Sequence, residues 1–224
     1  LPDVRTNSNG TPLISSIFEL GRQQNDSPYL AYVNADIILL PDLLDTVRLL
    51  RKAMSEFLMI GQRWDLAVDH PIEISASWPG TILEWVKKEG ELHPRTGSDF
   101  FIFPRTCFQH VPDFAVGRAR WDNWMIYHAR ERKFTVVDVT RSMMVIHQNH
   151  DYSHLPGGQT HYKLPESDEN LKLAGGRRTV FQLDDATHWV DDGKLKRMPL
   201  SWKRFWREIE IWPLISLHSP KLGW

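Results

Sequence analysis

The chain has 224 residues, 42% of them hydrophobic and 25% charged, which suits one domain, or one domain with an appendage, around an ordinary core. The formal net charge is -1, so no basic excess marks a nucleic-acid partner and none is expected. No apolar run approaches the roughly 20 residues that span a bilayer; no signal peptide is expected, and the single cysteine, Cys107, excludes an internal disulfide framework and fits a reducing, cytoplasmic setting.

Starting at Leu1 rather than Met, the sequence reads as a trimmed, processed or partial chain. Residues 1–12 carry the turn formers Pro2, Asn7, Asn9, Gly10 and Pro12, and Thr11 is an N-cap candidate with Pro12 at the first helical position. Leu13–Gln24 then places Leu13, Ile14, Ile17, Phe18 and Leu20 on one helical face. Tyr29–Leu40 reads as one buried strand, broken only by Asn34 and Asp36. A helix opened by Pro41 and Asp42 runs to about Phe57. Leu58–Gly61 is a short strand, Trp64–Ser77 a loop, Pro79–Lys88 a helix, and Phe100–Phe103 a strand closed by Pro104. Trp121–Glu131 is helical, and Phe134–Val139 and Met143–Ile146 are strands. This alternation predicts an α/β sandwich with a mainly parallel sheet. Residues 149–178 read as a long loop with a helical turn near Glu166–Leu173, a length that marks a loop as functional or disordered.

Pro199–Leu217 is an amphipathic helix candidate, which divides the chain into 1–198 and a 199–224 tail. Its apolar face suits core packing; its mixture of Trp with Lys and Arg also suits a lipid headgroup boundary, and so a membrane-associated protein. The ten tryptophans admit the same two kinds of reading, packing or stacking against pyranose rings.

Four segments carry residues able to do chemistry. In VNADIIL, Asp36 is a carboxylate in an apolar strand, an expensive placement unless a cation or a donor answers it. With Asn34 it can offer oxygen to a divalent metal; the alternative is a cap on the helix that follows. In GRARWDNW, Asp122 stands at a helix start, as a proton acceptor or as a plain N-cap. Arg118 and Arg120 are candidate phosphate partners, since guanidinium binds phosphate through paired hydrogen bonds. In IHQNHDYSHLPGG, His147 ends an apolar strand, with His150 and His154 in the loop and His161 beyond; one ligand at the strand end is favoured over three. No HExxH pattern supports a zinc hydrolase, although a metal-dependent hydrolase on this loop is the third functional alternative. In TGSDFFIFPR, Gly97 and Ser98 make a turn into the strand that Asp99 enters.

The order of these segments resembles the core of the GT-A glycosyltransferases, over roughly residues 5–155. Asn34-Ala35-Asp36 is similar to the DxD motif with Asn in place of the first Asp. Gly97-Ser98-Asp99 resembles the glycine-rich acceptor loop, and Trp121-Asp122-Asn123 stands where the family carries xED, with Trp121 in place of the Glu. His147 resembles the C-terminal metal-binding histidine. Only 33 residues precede Asn34, so the nucleotide-binding βαβ unit looks abbreviated. The resemblance implies a GT-A fold and a metal, Mn2+ or Mg2+, at Asp36 and His147. It implies Asp122 as general base, donor contacts from Asn34, Arg118 and Arg120, and acceptor contacts from Gly97, Ser98, Asp99 and Trp121. It implies an inverting transfer from a UDP- or GDP-linked sugar to a glycan or lipid-linked acceptor. The alternative is a degenerate GT-A-like module that binds a sugar or partner without catalysis.

Overall fold

The computed structural model describes residues 3–150 and 163–217. Its first helix, α1 (Ile14–Gln23), leads to strand β1 (Tyr29–Val33), a short strand β2 (Ile37–Leu39), helix α2 (Asp42–Ala53) and strands β3 (Phe57–Ile60) and β4 (Trp64–Leu66). Helix α3 (Trp78–Glu89), β5 (Glu91–Leu92), β6 (Phe100–Pro104), helix α4 (Trp121–Glu131), β7 (Thr135–Asp138) and β8 (Val145–Gln148) follow. The chain then forms helix α5 (Pro165–Ala174), the hairpin β9 (His188–Asp191) and β10 (Lys194–Arg197), and helix α6 (Trp202–Ser216).

Six strands form a mixed sheet in the order β1-β6-β3-β7-β9-β10, and four more form a second sheet in the order β2-β8-β4-β5. The expectation of a mainly parallel sheet is corrected. In the larger sheet only β3/β7 and β7/β9 are parallel, while β1/β6, β3/β6 and β9/β10 are antiparallel. Strands covered on both faces read as continuous apolar runs whichever way their neighbours point, so the sequence carried no direction. β3 and β6 are buried along their whole length. Their alternation splits the core: Leu58, Ile60, Phe101 and Phe103 pack with α1, α4 and α6, while Phe57, Met59, Phe100 and Ile102 pack with Leu50 of α2 on the other side. Helices therefore cover both faces of the larger sheet, and α3 covers the smaller sheet through Ile82 and Val86.

Several expected elements change. The single strand over 29–40 is two strands in two different sheets, and the break falls on Asn34-Ala35-Asp36. There the amide of Ile37 donates to the carbonyl of Asn34 at 3.2 Å, closing a turn. Thr11 does not cap α1; Leu13 stands at that position, without a side-chain hydrogen bond. The stretch expected as a loop from Trp64 opens with β4. Residues 149–178 hold a ten-residue helix, α5, while His154 and His161 lie outside the described residues. The β9–β10 hairpin was not anticipated; Asp192 and Gly193 turn it with φ of 49° and 65°, the left-handed pair that a tight hairpin uses.

Gly61 sits where β3 meets the loop after β7. A Cβ there would come within 3.2 Å of the Thr140 amide nitrogen, so the bare backbone lets the two segments close together. The amide of Gln62 then donates to Thr140 Oγ1 at 2.9 Å, fixing the exit toward Arg63.

Candidate functional site

The rim where the two sheets part gathers most of the polar residues singled out above. β2 pairs with β8, so Ile37 faces His147, and β4 pairs with β8, so Asp65 faces His147 from the other side. The amide of Gln148 donates to the carbonyl of Asp36, and that of Asn149 to the carbonyl of Leu66, both at 2.9 Å. The end of β8 is thus clamped between the Asp36 turn and β4, which brings His147 and His150 to the Asp36 carboxylate.

Nε2 of His147 lies 3.4 Å, and Nε2 of His150 3.0 Å, from Asp36 Oδ2. The adjacent imidazoles, His147 first and then His150, hold the Asp36 carboxyl down at about 2, against the desolvation that acts to raise it. The donor atoms of these three residues lie within 4.8 Å of one another. Asp36 Oδ1 is buried and has no hydrogen-bond partner among the described residues. Two imidazole nitrogens and a carboxylate with spare oxygen suit a divalent first-row ion better than Mg2+, which takes oxygen ligands. Asp36 is not a cap for α2, which has no side-chain cap. His150, set behind His147 in the sequence reading, joins the cluster.

On the far side of the Asn34 turn, the Asn34 side-chain amide donates to Asp99 Oδ1 at 2.8 Å, and its backbone amide donates to the Asp99 carbonyl at 2.9 Å. Arg63 bridges Asp99 and Asp65, and Asp65 also meets His93. Arg63, Asp65 and His93 were not singled out from sequence; Asp65 fell in the stretch read as a loop from Trp64, and Arg63 and His93 fell between assigned elements. Ser98 is buried, and its hydroxyl has no partner among the described residues.

Asp122 enters from α4. Arg120, just before that helix, adopts a left-handed φ of 90°, a conformation that costs on the order of 1–3 kcal/mol and turns the chain sharply into the helix. A Cβ on Gly97 would lie 3.9 Å from Asp122 Oδ2, so this glycine runs directly beside the carboxylate. Desolvation, followed by the nearby Asp99 charge, pushes the Asp122 carboxyl up to about 6 against backbone hydrogen bonds that lower it. The same carboxylates act on Tyr32 of β1: burial first, and then Asp99, Asp36 and Asp122, raise its phenol well above the ordinary tyrosine value. Tyr32 thus marks the ground where the Asn34 turn, residues 97–99 and the α4 start converge.

Two expected contacts are placed elsewhere. Arg118 donates to Glu166 of α5 at 2.6 Å, and Glu166 also takes a bond from Asn7 at 2.6 Å. The Arg118 fork is engaged in tying α5 and the N-terminal segment to the α4 entry. Trp121 is 5% exposed and packs edge-on to Tyr32 at 4.8 Å; its ring belongs to the core beneath the site. Neither a protein-family model, nor a curated protein, nor a solved structure matches this chain.

Proposed function

We propose that the chain is a glycosyltransferase that moves a sugar from a nucleoside diphosphate to an acceptor hydroxyl, with inversion at the anomeric carbon. The observation that carries this reading is the Asp36, His147 and His150 cluster, with Asn34 bonded to Asp99 beside it and Gly97 next to the Asp122 carboxylate. A divalent ion, Mn2+ or Mg2+, held by Asp36, His147 and His150 would supply counter-charge for the departing diphosphate.

Asp122 takes the acceptor proton as the hydroxyl oxygen bonds to the anomeric carbon and the bond to the diphosphate oxygen breaks. A carboxylate with a pKa near 6 remains mostly ionised at neutral pH and is a stronger base than a solvated one. Gly97 leaves the space in which the acceptor hydroxyl meets it, and the Ser98 hydroxyl supplies a polar contact nearby. Arg120 remains the candidate donor-phosphate contact at the α4 entry.

The outer face of α6 supports an acceptor at a lipid surface. Trp202, Trp206 and Trp212 are 73%, 53% and 59% exposed, with Ile209 between them, a stripe that suits a headgroup boundary. No helix among the described residues is long and apolar enough to cross a membrane.

A non-catalytic sugar- or partner-binding module is favoured by one observation, the engagement of Arg118 with Glu166, which removes a cation from the donor side. Calorimetry with UDP and GDP, with and without Mn2+, separates the two. Nucleotide binding that depends on Mn2+, together with sugar release from a UDP- or GDP-sugar, supports the transferase; binding of neither nucleotide under either condition overturns it.

A further inference from the structure

His147 has two distinct ring nitrogens with two distinct neighbours. Nε2 faces Asp36, while Nδ1 is buried 3.0 Å from Asp65 Oδ1. Asp65 and His147 are direct partners across the parallel β4/β8 pair, so backbone register sets their meeting. At 3.0 Å they form a close pair, with the imidazole tilted away from a straight hydrogen bond.

A neutral imidazole carries one proton, and only the nitrogen without it can offer a lone pair. Each nitrogen faces a carboxylate, Asp36 at 3.4 Å from Nε2 and Asp65 at 3.0 Å from Nδ1; the closer approach of Asp65 favours the proton on Nδ1, and a cation on the Asp36 carboxylate would then take the bare Nε2. Asp65 is itself held in place. Its Oδ2 lies 2.7 Å from His93 Nδ1, and its Oδ1 accepts from Arg63 Nε at 2.8 Å. Arg63 continues to Asp99, and Asp99 to Asn34, two residues before Asp36. Asp36, His147, Asp65, Arg63, Asp99 and Asn34 therefore form a continuous chain of contacts. A side chain fixed from three directions has little freedom to serve only as a surface charge.

We propose that Asp65 is a positioning residue that fixes the Nδ1–H tautomer of His147 and so presents Nε2 to a divalent cation shared with Asp36 and His150. The cation half of this statement rests on the reading of the site given above; the tautomer half does not.

The test uses the whole chain and two variants, Asp65→Asn and Asp65→Ala. Imidazole nitrogen resonances of His147 are recorded without added metal, at a pH above the histidine titration range, and free Mn2+ is followed by electron paramagnetic resonance. The parent is expected to show the Nδ1–H tautomer. Asp65→Ala is expected to lose that preference and to bind Mn2+ about 10- to 100-fold more weakly. Asp65→Asn keeps an acceptor oxygen of the same shape, so it is expected to retain the tautomer in part, to fall between the two in affinity, and to answer the question if the alanine variant does not fold. An Nε2–H parent, or variants with the parental tautomer and affinity, overturn the proposal. An Nδ1–H parent whose preference is lost in the variants, but which takes up no Mn2+, upholds the tautomer and overturns the cation reading.

Discussion

Asn34 and Asp99 are joined twice, backbone to backbone at 2.9 Å and side-chain amide to carboxylate at 2.8 Å. The amide is what makes this pairing favourable. Asp99 also needs Arg63 as a counter-charge, and a second carboxylate at position 34 would face it at hydrogen-bond distance with no proton between them. The Asn in NAD is therefore matched to its neighbour. Restoring a DxD-like carboxylate with Asn34→Asp is expected to lower stability at neutral pH by about 1–3 kcal/mol, and to recover part of that loss in mild acid as the pair comes to share a proton. Urea unfolding at two pH values checks this; a variant as stable as the parent at neutral pH sinks it.

Asp122→Asn is expected to abolish transfer while leaving Mn2+ uptake and nucleotide binding close to the parent. In the parent, activity should rise with pH through about 6 as the carboxyl ionises. A pH–rate profile with no ionisation in that region, or full activity in the variant, removes Asp122 from the mechanism.

The same residue makes a stability prediction of opposite sense. Its carboxyl is raised in the folded protein above the ordinary Asp value, so the folded state binds more protons between about 4 and 6, and stability falls as pH rises through that window. Asp122→Asn removes this loss. It is expected to be more stable than the parent by about 1–3 kcal/mol at neutral pH and indistinguishable from it below about pH 4. Thermal melts at both pH values measure it, and a neutral-pH loss of stability contradicts it.

Glu166 behaves in the reverse way. Desolvation raises its carboxyl, but bonds from Asn7, Thr11 and Arg118 outweigh that and hold it at about 2. Its contribution is full above the ordinary Glu value and fades as pH falls from there toward 2. Glu166→Gln should cost on the order of 1–2 kcal/mol at neutral pH, and the cost should shrink in acid. An equal cost at every pH would show that charge is not what ties α5 to the α4 entry.

The triple change Trp202→Ala, Trp206→Ala, Trp212→Ala removes exposed rings and no buried contact of the α6 inner face. It is expected to leave thermal stability nearly unchanged and to reduce co-flotation with anionic vesicles by at least about tenfold, given the apolar area removed from the headgroup layer. Equal flotation of parent and variant rules out this face as the lipid contact.

Much of the fold was legible because period and punctuation agreed. Trp121–Glu131 was bounded to the residue, and Phe100–Phe103 needed only Pro104 added. Asp36 and His147 were visible because they interrupt or end an apolar run, and Asp122 because it stands at a helix start. Arg63, Asp65 and His93 were not, because a three-residue strand such as β4 has no period to read and its pairing with β8 is long-range. His150 was discounted for lacking helical context, whereas strand register, not a helix, brings it to Asp36. Arg118 was misdirected for a similar reason: its partner Glu166 is 48 residues away, and no local pattern announces it.

Helix α6 has a second face besides its exposed stripe. Ile211 and Leu214 are sealed into the same core as α4, and Arg130 of α4 is bonded to Glu208 at 2.6 Å. The aromatic stripe and the Asp122 carboxylate thus hang from one rigid pair of helices. Were the stripe to rest on a flat surface, it would set the tilt of the whole protein, and with it the height and heading of the Asp122 carboxylate above that surface.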